Sequence, residues 1–266
     1  MSKSSPERGG SPVLLITPAN YDERIWGRLA TELQRRAPLE VVIWPEASAP
    51  HSAAHADPIR PLEQAVQDRC ADDLGAVVAV GPDAAAAVHL GGRGSTRSIV
   101  LIDPNPGRSL PEVPIPDLEE RLERHLQSLP ERIKEAIARR DPVAFAAGVA
   151  AESAKYLSDL DAQALREVLT SAAPTLLAGH ERVYDGPWWP DRLGGLNVPV
   201  LVISSAPADD DEELPLRVAR ALVQRCQRGS LARVRAETEY PWLEQTGAVA
   251  GAILEFIDSW LNDPDG

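Results

Sequence analysis

The stretch AVVAVGPDAAAAV, residues 76–88, decides the fold. Its first five residues are small or β-branched and all apolar, which is typical of a strand buried on both faces of a parallel sheet. Gly81, Pro82 and Asp83 interrupt this run, and a series of alanines that favour a helix follows. The stretch therefore predicts a strand that bends sharply into a helix.

Short apolar runs of the same kind recur along the chain, and amphipathic segments separate them. We predict strands at residues 13–16, 40–44, 76–80, 98–103, 199–203 and 231–236. Nearly continuous apolarity indicates a sheet that helices cover on both faces. The alternation of strands and helices predicts an α/β class protein with a doubly wound, mostly parallel sheet.

Residues 111–194 interrupt this alternation, because they carry helical patterns without a convincing strand. We predict a helical cap here, inserted into a core of residues 12–110 and 195–262, and a disordered N-terminus at residues 1–11. Within the cap, we predict a capping box from Ser128 to Glu131 and a helix start at Asp141-Pro142. A further helix is predicted to open at Asp161 and to stop at Pro174.

Four pieces of the chain, in this order, resemble the α/β-hydrolase family. They are LLITPAN at 14–20 with the Trp-x-x-Leu pair that follows, EASAPHS at 46–52, VAVGPDAA at 78–85, and VPVLVI at 198–203 with EYPWLEQ at 239–245. Family members usually have a strand ending in His-Gly, a glycine-rich loop, a Gly-x-Ser-x-Gly nucleophile elbow and a Gly-His before the last helix. The resemblance covers about residues 12–110 and 195–261 and implies an α/β-hydrolase-like fold with a cap.

The resemblance puts Asp83 at the nucleophile position and Glu239 at the histidine position. An elbow holds its central residue at positive φ, which Asp tolerates better than most residues. Haloalkane dehalogenases and epoxide hydrolases of this family use an Asp nucleophile, but they need a histidine-activated water, and no histidine follows His180. The acid position falls at residues 208–213, where Asp209 is the best candidate. Acids there also complement the dipole of the helix that follows them.

The remaining candidate site residues are predicted to contact the substrate. The resemblance implies backbone N–H donors at Ala19 and Ala84 for an oxyanion. Four aromatic residues are candidates to line a ligand cavity, although packing of the core explains them equally well: Trp26, Tyr184, Trp188 and Trp242.

The net charge of −13 opposes binding to nucleic acid and to anionic membranes. Neither Cys70 and Cys226 nor the five histidines have the spacing of metal ligands, so we expect no metal and no cofactor. No apolar stretch reaches the ~18 residues of a membrane span, and the start of the chain has no signal-peptide pattern, so we expect a cytoplasmic protein.

Our leading hypothesis is an α/β-hydrolase-like protein without the Ser-His pair that binds or acts non-hydrolytically on a small organic molecule, in the setting of bacterial specialised metabolism. The first alternative is a non-catalytic binding or scaffold protein, with a homodimer as one expected assembly. The second alternative is a hydrolase in which Asp83 works with a relocated base such as His180.

Overall fold

The fold is built around a parallel sheet. In the computed structural model, the residues described are 10–17, 21, 23–44, 74–105, 127, 129–182, 189–205 and 214–261. Six strands form the sheet in the order β2-β1-β3-β4-β5-β6, and every neighbouring pair is parallel. The strands are β1 Gly10–Ile16, β2 Leu39–Trp44, β3 Ala76–Val80, β4 Ile99–Ile102, β5 Val200–Ser205 and β6 Gly229–Val234. The predicted doubly wound sheet is confirmed, and β6 lies two residues earlier than expected.

Helices connect these strands. They are α1 Gly27–Arg36, α2 Ala84–Gly92, α3 Glu131–Arg139, α4 Pro142–Ser153, α5 Asp159–Arg182, α6 Leu214–Arg225, α7 Pro241–Glu244 and α8 Thr246–Leu261. Short 3-10 segments span Glu23–Trp26, Gly81–Asp83 and Trp189–Gly195. Within the described part of the chain, no helix is both long enough and apolar enough to cross a membrane.

Each face of the sheet has its own hydrophobic cluster, because alternate strand residues point to opposite sides. Leu15 and Val78 belong to the first cluster, together with residues of α1 and α8. Leu14 and Val77 belong to the second cluster, together with residues of α2 and α6. The chain reverses its direction across the sheet between β1 and β3. Open α/β sheets bind ligands outside the carboxyl ends of the strands at such a point.

The predicted helical insertion is confirmed as α3, α4 and α5, between β4 and β5. Ile133 of α3, Phe145 of α4 and Leu165 of α5 are buried in the same cluster as Trp26 and Tyr240. The insertion therefore shares one hydrophobic core with the sheet. Arg28 of α1 adds an ion pair to the buried carboxylate of Asp161.

The local predictions for the insertion had mixed outcomes. Asp141 caps α4, because its carboxylate accepts hydrogen bonds from the N–H groups of the second and third helical residues. The capping box is wrong: α3 begins after Pro130, with no side-chain cap, and Ser128 lies outside the described residues. The helix start at Asp161 and the stop at Pro174 are also wrong, since α5 begins at Asp159 and continues through the proline. A proline inside a helix costs about 3 kcal/mol, and the burial of Leu165, Val168 and Leu169 in the preceding turns opposes this cost.

Candidate functional site

The turn after β3 has the sharp bend that the sequence predicts, but its strained residue is Gly81. Gly81 has φ +56°, and no described heavy atom lies within 4 Å of the place that a Cβ would take. Asp83 has φ −74°, which is ordinary helical backbone, so the expected positive φ at Asp83 is wrong. The physical reason is that glycine adopts positive φ without a Cβ clash, and a residue that precedes a proline avoids the helical region.

Asp83 lies two residues beyond the bend, as the N-cap residue of α2. Its side chain makes no capping hydrogen bond to the helix and is partly buried. The charge of Asp83 makes the smallest of the contributions to the raised pKa of Tyr21. Asp83 lies at the carboxyl edge of the sheet, because it follows the end of β3.

Tyr21 and Tyr240 form a pair of hydroxyl groups at this edge. Their oxygens are 3.3 Å apart, and the rings meet edge to face with centroids 6.2 Å apart. Burial raises the pKa of both phenols, and the nearby charge of Glu239 raises them further. Both tyrosines are therefore protonated at neutral pH. In such a pair, one hydroxyl donates to the other and the second proton is left for another acceptor.

Asp103 is a carboxylate at the end of β4 that the sequence analysis included only as part of a strand. The backbone N–H of Ser205 donates to its Oδ1 at 2.7 Å, and the Ser205 hydroxyl donates to its Oδ2. Burial raises the pKa of Asp103 to about 6; the Ser205 hydrogen bonds oppose this rise and the charge of Glu239 adds to it. Asp103 is thus an acid that changes its protonation state near neutral pH. In the sequence, Asp103 stands between an apolar strand and Pro104, and this position is the feature that could have marked it as a candidate site residue.

Glu239 is exposed and lies in the loop between β6 and α7. Glu244 of α7 holds this loop, because its carboxylate accepts hydrogen bonds of 2.9 to 3.0 Å from the N–H groups of Glu237 and Thr238. The charge of Glu239 affects the pKa of both tyrosines and of Asp103. Five side chains follow the carboxyl ends of strands β1, β3, β4 and β6, and we call them the acid–tyrosine cluster: Tyr21, Asp83, Asp103, Glu239 and Tyr240.

Trp26 and Trp242 lie in the core beneath this cluster, with 0% and 1% of their surface exposed. Each indole N–H donates to a backbone carbonyl at 3.2 Å, and the two rings are 5.2 Å apart. Trp242 also meets the ring of Tyr240 edge to face at 5.8 Å. This burial agrees with packing of the core, and substrate contact at either residue stays a prediction.

Most of the other predicted site residues lie outside the described part of the chain. Ala84 is fully buried at the start of α2, and its N–H donor role stays a prediction. Four predicted residues lie outside the described residues: Ala19, Tyr184, Trp188 and Asp209. His180 lies in α5, but its side chain is not among those described. The described side chains contain no group of three or more His, Cys, Asp or Glu that could hold a metal ion.

No protein-family model and no curated protein matches this chain. Solved structures do resemble it. A carboxylesterase of the thaumarchaeon Nitrososphaera gargenis has a TM-score of 0.67 at 15% identity, covering 97% of this chain and 93% of that chain. MenH from S. aureus has a TM-score of 0.66 at 16% identity, covering 93% and 94%. A bromoperoxidase from Bacillus anthracis has a TM-score of 0.67 at 13% identity, covering 94% and 92%.

Likeness at such low identity concerns the fold. The strand order, the helices on both faces and the insertion between β4 and β5 agree with it. The chain therefore has the α/β-hydrolase fold, with a six-stranded parallel sheet and a helical insertion.

Proposed function

We propose that this protein binds a small organic molecule at the carboxyl edge of its sheet and does not hydrolyse esters by the Ser-His route. The observation that carries this proposal is the backbone of the turn after β3. Its residue at positive φ is Gly81, which has no side chain to serve as a nucleophile. The space that a side chain would take at Gly81 holds no described atom, which is compatible with a ligand that approaches the turn.

The acid–tyrosine cluster supports binding and proton transfer rather than acyl transfer. Asp103, with a pKa raised to about 6 by burial, can donate or accept a proton near neutral pH. The hydroxyls of Tyr21 and Tyr240 can donate hydrogen bonds to polar atoms of a ligand. Glu239 stands where the resemblance expects a histidine. Its charge raises the pKa values of Tyr21, Asp103 and Tyr240. These groups form a polar site for a small molecule with no Ser-His pair.

A mass-spectrometric experiment tests the part of this proposal that concerns the nucleophile. The purified protein is incubated with activated esters, epoxides and alkyl halides, and its intact mass is measured. We expect no adduct that depends on Asp83, because Asp83 lies on ordinary helical backbone rather than at the strained position. A stoichiometric adduct that disappears in Asp83→Asn would contradict the proposal and establish Asp83 as a nucleophile.

A ligand screen tests the part that concerns binding. A library of small organic fragments is screened by thermal shift, and the hits are titrated against Tyr21→Phe, which keeps the ring and removes the hydroxyl. We expect Tyr21→Phe to weaken the hits about two- to tenfold, the range for the loss of one hydrogen bond. Tyr156→Phe is the matched control, because Tyr156 is 52% exposed on the insertion. If both variants bind the fragments as the wild type does, the ligand site lies elsewhere.

A further inference from the structure

One stretch of this acidic protein is strongly basic. The whole chain has a net charge of −13, but residues 214–236, which include α6 and β6, contain no aspartate or glutamate. Arg225 of this stretch pairs with Asp191 at 2.9 Å, and the guanidinium of Arg228 lies 4.2 Å from the centre of the Trp260 ring. The stretch carries six arginines in all: Arg217, Arg220, Arg225, Arg228, Arg233 and Arg235. Positive charge is therefore concentrated beside the edge of the sheet that β6 forms.

The arginines at β6 share one face of the sheet with a leucine. Leu231, Arg233 and Arg235 alternate along the chain with Ala232 and Val234, and alternate side chains of a strand leave opposite faces. Ala232 and Val234 pack in the first hydrophobic cluster. The other three side chains are exposed. Side chains two residues apart in a strand are about 7 Å apart, so these three form a continuous row, which we call the edge row.

The backbone of β6 is open on the side away from β5. Among the described strands, β6 pairs only with β5. The N–H of Val200 in β5 donates to the carbonyl of Arg228 at 2.9 Å. In a parallel ladder, alternate residues direct both of their backbone groups to the same neighbour, so Ser230 faces β5 as Arg228 does. Leu231 and Arg233 direct their N–H and C=O groups outward, where they form a template for another strand.

We propose that an extended acidic segment of a partner protein pairs with β6 as a seventh strand. The backbone of the segment meets the outward N–H and C=O groups of Leu231 and Arg233. Its acidic side chains lie opposite Arg233 and Arg235, at a Cβ separation of about 5 Å. Because side chains alternate, its acids occupy every second position, and an apolar residue lies opposite Leu231. This proposal does not depend on the small-molecule site.

Three other partners fit the edge row less well. A second copy that pairs its β6 with this β6 brings two rows of arginines together, and like charges on neighbouring strands destabilise the pair. Nucleic acid and anionic membranes offer no N–H and C=O ladder, and their extended negative charge meets a protein of net charge −13. A short acidic segment meets only the edge row, because physiological salt screens charges beyond about 8 Å.

The test uses capped heptapeptides as probes. The probe Thr-Glu-Thr-Glu-Thr-Val-Thr, antiparallel to β6, puts both acids and the valine on the face of the edge row. One control replaces each glutamate by glutamine. The other, Thr-Glu-Glu-Thr-Thr-Val-Thr, has the same composition but puts its acids on opposite faces. NMR titration of backbone amide signals at millimolar peptide measures the affinities. We expect the probe to bind about two- to fivefold more tightly than the rearranged peptide and about tenfold more tightly than the glutamine peptide.

Two matched pairs of variants locate the surface. Arg235→Gln should weaken the probe about two- to fivefold, as for an exposed ion pair. Arg166→Gln removes the same charge from an exposed position on α5 and should leave the affinity unchanged. Leu231→Pro removes an outward N–H, which edge strands tolerate, and should weaken the probe about two- to tenfold more than Leu231→Ala, which loses the side chain and keeps the N–H.

Four results would overturn the proposal. They are equal binding of the probe and the rearranged peptide, and amide signals of Leu231 and Arg233 that do not shift with the probe. The third is tighter binding of oligothymidylate or of phosphatidylglycerol vesicles that Arg235→Gln weakens, which would assign the edge row to phosphate groups. The fourth is a dimer in light scattering that Arg235→Gln disrupts, which would assign it to a second copy. If Leu231→Pro does not fold, Arg235→Gln and the wild-type amide signals decide the result.

Discussion

At the residue scale, the backbone conformations of Asp103 and Gly81 are unusual. Both have positive φ, +41° at Asp103 and +56° at Gly81, and both directly follow a strand at the carboxyl edge. Asp is one of the few residues with a side chain that visits this region, and glycine does so without cost. The two residues therefore combine backbone strain with a position at the edge where open α/β sheets in general bind ligands.

Asp103 makes the stability of the protein depend on pH. Its pKa in the folded state is about 6, whereas an unfolded Asp has a pKa of about 3.9. Since the folded pKa is raised, the stabilising contribution of this group is complete below about pH 4 and is lost as the pH rises through about 6. We expect Asp103→Asn, which keeps an acceptor for the Ser205 N–H and tolerates the backbone, to remove this loss.

Urea unfolding at pH 4, 5, 6 and 7 measures this effect. The free energy of unfolding of Asp103→Asn, relative to wild type, should increase by about 2 kcal/mol between pH 4 and pH 7. Asp258→Asn, an exposed position on α8, is the control and should show no such trend. A constant difference between Asp103→Asn and wild type at all four pH values would show that Asp103 has an ordinary pKa.

Gly81 should not tolerate a side chain, although there is room for one. Gly81→Ala is expected to lower the free energy of unfolding by about 1–2 kcal/mol, because a Cβ at positive φ clashes with the backbone. Gly27→Ala is the matched control, since a Cβ there also meets no described atom within 4 Å and its φ is not positive. Chemical denaturation compares the two variants, and equal stability of both would argue against a strained bend at Gly81.

At the scale of elements, the insertion is attached to α1 by the buried carboxylate of Asp161, and it shares apolar packing with the sheet. Asp161 of α5 is 2% exposed and binds both Arg28 of α1 and the hydroxyl of Ser158. A second ion pair, between Arg24 and Glu167, is 3.3 Å long and half-exposed on both sides. Only the first pair has a buried partner, so the two should differ in strength.

Arg28→Ala is expected to destabilise the protein by about 2–3 kcal/mol, because it leaves the Asp161 carboxylate buried without its cation. Arg24→Ala is the matched control, four residues away, and should cost less than about 1 kcal/mol. Thermal and urea unfolding measure both variants. Similar losses in the two variants would mean that α5 is held by packing and that the buried ion pair contributes little.

At the scale of the whole molecule, one hydrophobic cluster joins the insertion to the sheet. It contains Phe145 and Leu165 from the insertion, and Trp26, Trp242 and Val78 from the sheet and its helices. Because these residues share one core, we expect the insertion and the sheet to unfold in a single transition. Tryptophan fluorescence and far-ultraviolet circular dichroism should give coincident urea curves. An earlier transition in circular dichroism alone would show that the insertion unfolds separately.

The sequence by itself determined the architecture of this protein. Its strands were predictable because burial on both faces requires unbroken apolar runs, which are visible in the order of the residues. The start of α4 was predictable from Asp141 and Pro142, because a cap involves only residues within one turn. Asp83 and Glu239 were selected by resemblance to a known pattern, and the structure does bring both to the carboxyl edge.

Only the tertiary structure decided what surrounds them. Tyr21 and Tyr240 come together, and Asp103 lies at the same edge, because β1, β4 and β6 end at one edge of a parallel sheet although they are far apart along the chain. The raised pKa of Asp103 depends on its burial in the folded chain, and α5, which continues through Pro174, packs against α4 and the 3-10 segment Glu23–Trp26. Capping and periodicity act over a few residues and can be predicted from the sequence. The proximity of residues that are distant in the sequence, and the burial of their side chains, depend on strand order. Both exist only once the chain has folded.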